Sequence, residues 1–222
     1  WVLQLINFAH GEVFMIGAFA GYGVLVSMGG DDISGGMIAL ALVLALIAAS
    51  AASMVTAVAI ERIAYRPLRN APRLAPLISA IGVSVMLSHL VDDGFLSGRS
   101  KFYPTIFPAG NLDLGPLSVS YLQLFLMVSS FAMMMGLWWF IQRTKLGRGI
   151  RAVAEDRDNA SLMGIDVNRA IVVTFALGAI MAGVAGVLYG LFFTSIRGSM
   201  GFVPGVKAFT AAVLGGIGSI QG

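Results

Sequence analysis

Two apolar runs, VSYLQLFLMVSSFAMMMGLWWFI at 119–141 and AIVVTFALGAIMAGVAGVLYGLFF at 170–193, flank the charged stretch RTKLGRGIRAVAEDRDNASLMGIDVNR at 143–169. Each run exceeds the roughly 20 residues needed to cross about 30 Å of hydrocarbon at 1.5 Å per residue. The chain therefore reads as an integral membrane protein, and the charged stretch between the runs as a loop outside the bilayer. Within that loop Ile150, Val153 and Ala154 recur at helical spacing, with Arg151, Glu155 and Asp156 elsewhere on the wheel. A short surface helix with one apolar stripe is predicted. Asp158 or Asn159 is placed to cap a second helical turn that Gly164 ends. An apolar stripe facing water is costly unless a partner or the membrane surface covers it, so the loop reads as a docking element.

Working outward, four further apolar segments appear at 12–28, 38–60, 75–91 and from 206 onward, giving six predicted spans. The connections between them alternate in charge. The 61–76 loop carries Arg62, Arg66, Arg69 and Arg73, and the 143–169 loop carries Arg143, Lys145, Arg148, Arg151, Arg157 and Arg169. The turn at Asp31 and Asp32 has no Lys or Arg, and the 92–118 connection has only Arg99 and Lys101. By the positive-inside tendency the arginine loops face the cytoplasm. The 92–118 connection, rich in Gly, Pro and Ser, is predicted to be irregular and external.

The composition agrees: 58% hydrophobic residues, 11% charged, a mean hydropathy of +0.88 and no cysteine. Disulfides, thiolate metal sites and cysteine nucleophiles are excluded. A sequence pI near 9.5 is accounted for by the two basic loops, so nucleic acid is not expected as a partner. Small residues crowd several spans: Gly17 with Gly21, Ala182 with Gly186 and Gly190, and Ala48 with Ala52. Such faces let helix backbones approach closely in lipid, and a tightly packed bundle follows.

The densest polar cluster near the membrane is Asn7, His10 and Glu12 in NFAHGEVFMIGAFAGY. On one continuous helix, steps of about 100° put Asn7, His10, Phe14, Gly17 and Gly21 on one face and Glu12 almost opposite. A break at Gly11 resolves the conflict and sets Glu12 in the first turn of a new helix, where the dipole favours its charge. Broken helices with inward ends recur in substrate handling by transporters. Asn7, His10, Gly11 and Glu12 are accordingly candidates for a substrate path; alternatively Glu12 sits in the interface and His10 donates to a backbone carbonyl. Ser79, Gly82, Ser84 and Ser88 interrupt the 75–91 span and either line the same path or back-bond their own helix.

No GxxxxGK[ST] pattern occurs, and LGGIGSIQG at 214–222 lacks the phosphate-loop lysine and misses GxGxxG by one residue. The chain has no P-loop with which to energise transport. With two His, no HExxH and no GxSxG, neither a metal site nor hydrolytic catalysis is expected.

Four long ordered blocks, INFAHGEVFMIGAF, ERIAYRPLRNAPRLAPLISAIGVSVML, GRGIRAVAEDRDNASLMGIDVNRAI and FVPGVKAFTAAVLGGIGSIQG, resemble the LivH-type permease of branched-chain amino acid ABC transporters. The resemblance spans nearly the whole chain. It implies an all-α, polytopic transmembrane helix bundle with discontinuous helices, one permease domain over 1–222, in the bacterial cytoplasmic membrane. It also implies an importer in which this subunit pairs with a LivM-like permease, two ATPase subunits that bind ATP and Mg, and an external binding protein that delivers leucine, isoleucine or valine. The chain itself would bind no cofactor. The 143–169 loop would contain the coupling helix, with Ile150, Val153, Glu155, Asp156, Ala160 and Gly164 meeting the ATPase. Its Glu155-Asp156-Arg157 departs from the Glu-Ala-Ala of the general permease loop. Relative to the family, at least one span is expected to be missing before Trp1 and one or more after Gly222. A proton-coupled secondary transporter, with His10 or Glu12 as relay, is the rival reading, and urea or short amides are rival substrates within the family.

Overall fold

The computed structural model describes residues 9–33, 35–68, 71–72, 74–93, 99–107, 110–114 and 117–215. Eight α-helices are described: α1 (His10–Ser27), α2 (Met37–Ile60), α3 (Leu74–Val91), α4 (Tyr121–Arg143), α5 (Lys145–Glu155), α6 (Arg157–Leu162), α7 (Val167–Phe193) and α8 (Phe202–Leu214). Five of them are long and apolar enough to cross a membrane: α1, α2 with its extension to Leu68, α3, α4 and α7. The expected sixth span is not among them. The 13 residues of α8 reach about 20 Å, short of the hydrocarbon thickness, and 216–222 lie outside the described residues.

The heart of the bundle is α1, α2 and α7, which make the most extensive contacts with one another. Their sequences dictate this, because each carries a file of small residues. On α2 the file is Ala41, Ala45, Ala49, Ser53 and Ala57, all buried at strict four-residue spacing; Ala48 and Ala52, singled out from the sequence, are only half-buried one row away. A Cβ on Gly17 of α1 would stand 2.5 Å from Cα of Gly183 in α7, and one on Gly183 would stand 2.6 Å from the Ala49 carbonyl oxygen. The three backbones touch where side chains are missing, which maximises dispersion in a medium that offers no hydrophobic drive between helices. The Gly17, Gly21, Ala182, Gly186 and Gly190 faces are buried as expected.

By contrast, α3 buries only Pro76, Ala80 and Val91, and α4 buries none of its residues. They lie at the margin of the bundle.

The 92–118 connection is more ordered than its composition predicts. β2 (Asn111–Leu114) and β3 (Leu117–Ser120) form an antiparallel hairpin with Leu112 opposite Val119, and β1 (Lys101–Phe102) pairs antiparallel with β4 (Ser195–Ile196). The period-two alternation of Leu112, Leu114, Leu117 and Val119 is the signal that Gly, Pro and Ser obscured. Val119 and Ser120 thus belong to a strand, and α4 starts at Tyr121, where Gln123 Oε1 accepts from the Ser120 amide at 3.1 Å.

Cross-links between loops sort the ends of the bundle. Asp31 Oδ1 accepts from the Thr105 amide at 2.7 Å and from its hydroxyl at 3.0 Å, and β1 joins the 92–118 connection to the chain after α7. The loops poor in arginine therefore share one end. At the other, Tyr65 in the helical extension of α2 packs its ring against Phe175 in the N-terminal half of α7, centroids 5.6 Å apart, beside the 143–169 segment. Arg69 and Arg73 lie outside the described residues.

Candidate functional site

α1 begins at His10, with the Glu12 and Val13 amides both donating to the Ala9 carbonyl at 3.2 Å. Glu12 is in the first turn, as predicted, but the helix start lies before Gly11 and no break occurs there. Gly11 serves a different purpose. Its backbone abuts that of Gly201, at the N-cap of α8, so closely that a Cβ on either residue would collide with the other's carbonyl. The starts of α1 and α8 thus meet.

Beside this junction Glu12 is 2% exposed. Ser84 of α3 donates to its Oε1 at 3.1 Å, while its Oε2 is buried with no hydrogen-bond partner among the described residues. One turn on, Ser88 donates to the Ser84 carbonyl at 3.0 Å, the self-bonding alternative. One turn further, Asp92 Oδ1 accepts from the Gly198 amide at 3.0 Å. The α1–α3 seam therefore joins Glu12 and Ser84 from the candidate path. Ser79 is half-buried on α3. Gly82 is exposed, with nothing within 4 Å of where a Cβ would stand, and does not join them. His10 is exposed, its Cε1 3.5 Å from where a Cβ on Gly178 would stand. Asn7 lies outside the described residues.

Sequence reading missed two buried polar side chains on α2 and its extension. Ser53 donates to the Val13 carbonyl at 2.9 Å, and Glu61 is fully buried one turn beyond Ala57 on the same four-residue file. That file, followed past Ala57, was the available signal.

It also missed Tyr103. From the 92–118 connection this ring enters a notch between α1 and α7, where its atoms stand 3.0 Å or less from where Cβ atoms on Gly21 and Gly190 would be. Its amide donates to the Thr194 carbonyl at 2.9 Å, and its ring lies 5.9 Å from Tyr22. Burial pushes the phenol pKa up from its ordinary value, so it stays neutral, and its oxygen has no hydrogen-bond partner among the described residues. An unmatched buried hydroxyl is destabilising by about 1–3 kcal/mol. Tyr103→Phe is therefore expected to leave stability unchanged or raise it by about 1 kcal/mol, whereas Tyr103→Ala empties the notch and lowers it by about 3–5 kcal/mol. Thermal unfolding of the purified variants in detergent reads both.

The 143–169 segment is two helices, each with a cap. Thr144 Oγ1 accepts from the Gly147 amide at 2.9 Å and opens α5; Asp166 Oδ1 accepts from the Arg169 amide at 3.0 Å and opens α7. α6 is capped by Asp156, not by Asp158 or Asn159. Its Oδ1 accepts from the amides of both those residues at 2.9 and 3.0 Å, because Asp156 has the extended backbone an N-cap needs while Asp158 is already in the first turn. Gly164, at φ +80°, ends α6 as predicted: its amide donates to Ser161 at 3.0 Å and that of Ile165 to Ala160 at 3.1 Å. This is a Schellman turn.

The predicted apolar stripe exists but faces inward. Ile150, Val153 (1% exposed) and Ala160 pack with Ala170 and Ile171 of α7, and Phe140 of α4 lies against them. Ala154 is exposed and off the stripe. The helix period was read correctly, but the partner that covers it is the chain's own base. The apolar side chains left most exposed are Leu162 and Met163, each 83% exposed at the tip of the Schellman turn, beside Leu146 at 46%, with Glu155, Asp156, Asp158 and Gly164 also exposed.

A carboxylate kept among helices of membrane length suits a protein that handles polar solutes, and the build is that of a multi-pass membrane protein. Residues 1–222 match the family described as branched-chain amino acid transport system / permease component. The chain is 46% identical over 235 residues to the high-affinity branched-chain amino acid transport system permease protein BraD of Pseudomonas aeruginosa, covering 100% of this chain and 72% of BraD. It is 43% identical over 229 residues to the LivH permease proteins of the same description from Salmonella typhimurium and Escherichia coli, again covering 100% of this chain and 72% of each. No solved structure matches. The chain belongs to this family of branched-chain amino acid permease components.

Proposed function

We propose that the chain forms half of the translocation path of an ATP-driven importer for leucine, isoleucine and valine in the bacterial cytoplasmic membrane. The observation that carries this reading is the similarity over the whole chain to permease proteins whose names state that transport. Its partners are a second, LivM-like permease, two ATPase subunits that hold ATP and Mg, and an external binding protein. The arginine-rich end faces the cytoplasm. There the Leu162–Met163 tip docks into an apolar groove of the ATPase, flanked by Glu155 and Asp158, and movement passes through the capped α5–α6 hairpin into α7. The polar groups at the α1–α3 seam line the path.

The test is uptake of labelled leucine by the assembled transporter in vesicles with ATP, with and without a dissipated proton gradient. Collapse of the gradient is expected to leave uptake intact, and His10→Gln, which keeps hydrogen bonding but carries no charge, to preserve most of it. Loss of uptake in both cases while ATP remains would replace the importer with a proton-coupled carrier.

A further inference from the structure

We propose that Glu12 is the group that recognises the α-ammonium of the amino acid as it passes the α1–α3 seam. This deepens the importer reading and rests on it. Glu12 is enclosed, yet its hydrogen bonding is half complete: Oε1 receives the Ser84 hydroxyl at 3.1 Å and Oε2 is buried without a partner among the described residues. An ionisable group kept at this depth is costly and marks a functional position by default. Among the described residues the second oxygen lacks a donor, and the strongest complement to a carboxylate is a cationic N–H, which an ammonium offers three times over.

The surroundings suit the rest of such a substrate. Val83 and Leu87, flanking Ser84 on α3, are half-buried against the apolar core and offer an aliphatic wall. The seam is also lightly held, since α3 buries only Pro76, Ala80 and Val91. Separation of α3 from α1 uncovers the carboxylate and the serine together while disturbing little of the α1–α2–α7 packing. With the seam closed, the serine holds one oxygen in place, so the carboxylate is oriented before a substrate arrives. Metal binding is a poorer fit, because the Glu12 carboxylate with the Ser84 and Ser88 hydroxyls supplies too few oxygens for a hard cation, and Asp92 Oδ1 is engaged by the Gly198 amide.

The experiment uses the assembled transporter with its partner subunits and two photoreactive probes. One is a leucine analogue with a diazirine in its side chain; the other is the same molecule without its amino group. Photolabelling of the wild-type complex is expected to map to α1 or α3 and to need the amino group. Glu12→Gln is expected to lower labelling and leucine uptake together by about 10-fold to 100-fold, the scale of one charge-assisted hydrogen bond, and Glu12→Asp to recover part of both. Equal labelling by the two probes in the wild type overturns the proposal, even where Glu12→Gln does not accumulate. So does unchanged labelling and uptake in Glu12→Gln. Wild-type complex that takes up no leucine with ATP present instead removes the importer reading itself.

Discussion

Gly183→Val is expected to abolish accumulation of the folded protein. A Cβ there would stand 2.6 Å from the Ala49 carbonyl oxygen, 2.8 Å from Ser53 Oγ and 2.9 Å from the Ala49 carbonyl carbon. Two of the three atoms are backbone, which cannot swing aside as a flexible side-chain end would. Across the same contact lies Gly17, whose own added Cβ would meet Cα of Gly183 at 2.5 Å. Relief requires α7 to back away from α1 and α2 along their length, breaking the packing that holds the three together. Overpacking elsewhere typically destabilises by about 1–3 kcal/mol, and a site closed by backbone on two sides goes beyond about 4 kcal/mol. Gly136→Val on α4, where nothing lies within 4 Å, is the control and is expected to fold normally. Size-exclusion profiles of the two variants from solubilised membranes, compared at equal expression, decide the matter; a monodisperse Gly183→Val peak would show that the bundle is looser than its glycines indicate.

The second large effect is functional and leaves the fold alone. Leu162→Glu together with Met163→Glu is expected to reduce ATP-driven uptake by at least about 100-fold, because each exposed apolar side chain at the centre of the proposed docking surface would contribute on the order of 2 kcal/mol. Both side chains are 83% exposed, so the change asks nothing of the packing. Ile150→Glu makes the contrast. It places a charge in the Ile150–Val153–Ile171 cluster and is expected to lose activity by unseating α5. Co-purification with the ATPase subunits separates the cases: the tip variant inserts and folds yet fails to retain the ATPase. A tip variant that retains both the ATPase and uptake would move the docking surface elsewhere on the loop.

Span length and charge alternation made the polytopic helical fold legible before any coordinates, since both rest on the energetics of single segments in hydrocarbon. Five membrane-length helices fall where apolar runs stand, and α6 ends at Gly164 because a left-handed residue is needed there. What escaped depends on which face meets which neighbour. The stripe of Ile150 and Val153 was visible, but periodicity says only that something covers it, and the cover is α7. Leu162 and Met163 look like ordinary apolar residues until the Schellman turn points them outward. Glu12 was legible as an ionisable group at the head of a helix, whereas its pairing with Ser84 joins residues 72 positions apart on elements that no local pattern connects. Tyr103 lay in a stretch whose Gly, Pro and Ser content masks its anchoring role.

The ties between loops are distributed unevenly. On the arginine-poor end, Asp31 holds Thr105, β1 holds β4, Asp92 holds Gly198, and Tyr103 is wedged between α1 and α7. Under the proposed coupling role that rim serves as a fulcrum. α7, with 27 residues, is a lever about 40 Å long. Fixed at the rim, a tilt of about 5° sweeps its far end through about 3–4 Å, by the length that its rise per residue sets. The capped α5–α6 hairpin sits at that far end, where the stroke is greatest, so under the proposed coupling role a small push delivered there is geared down to a fine adjustment beside Glu12.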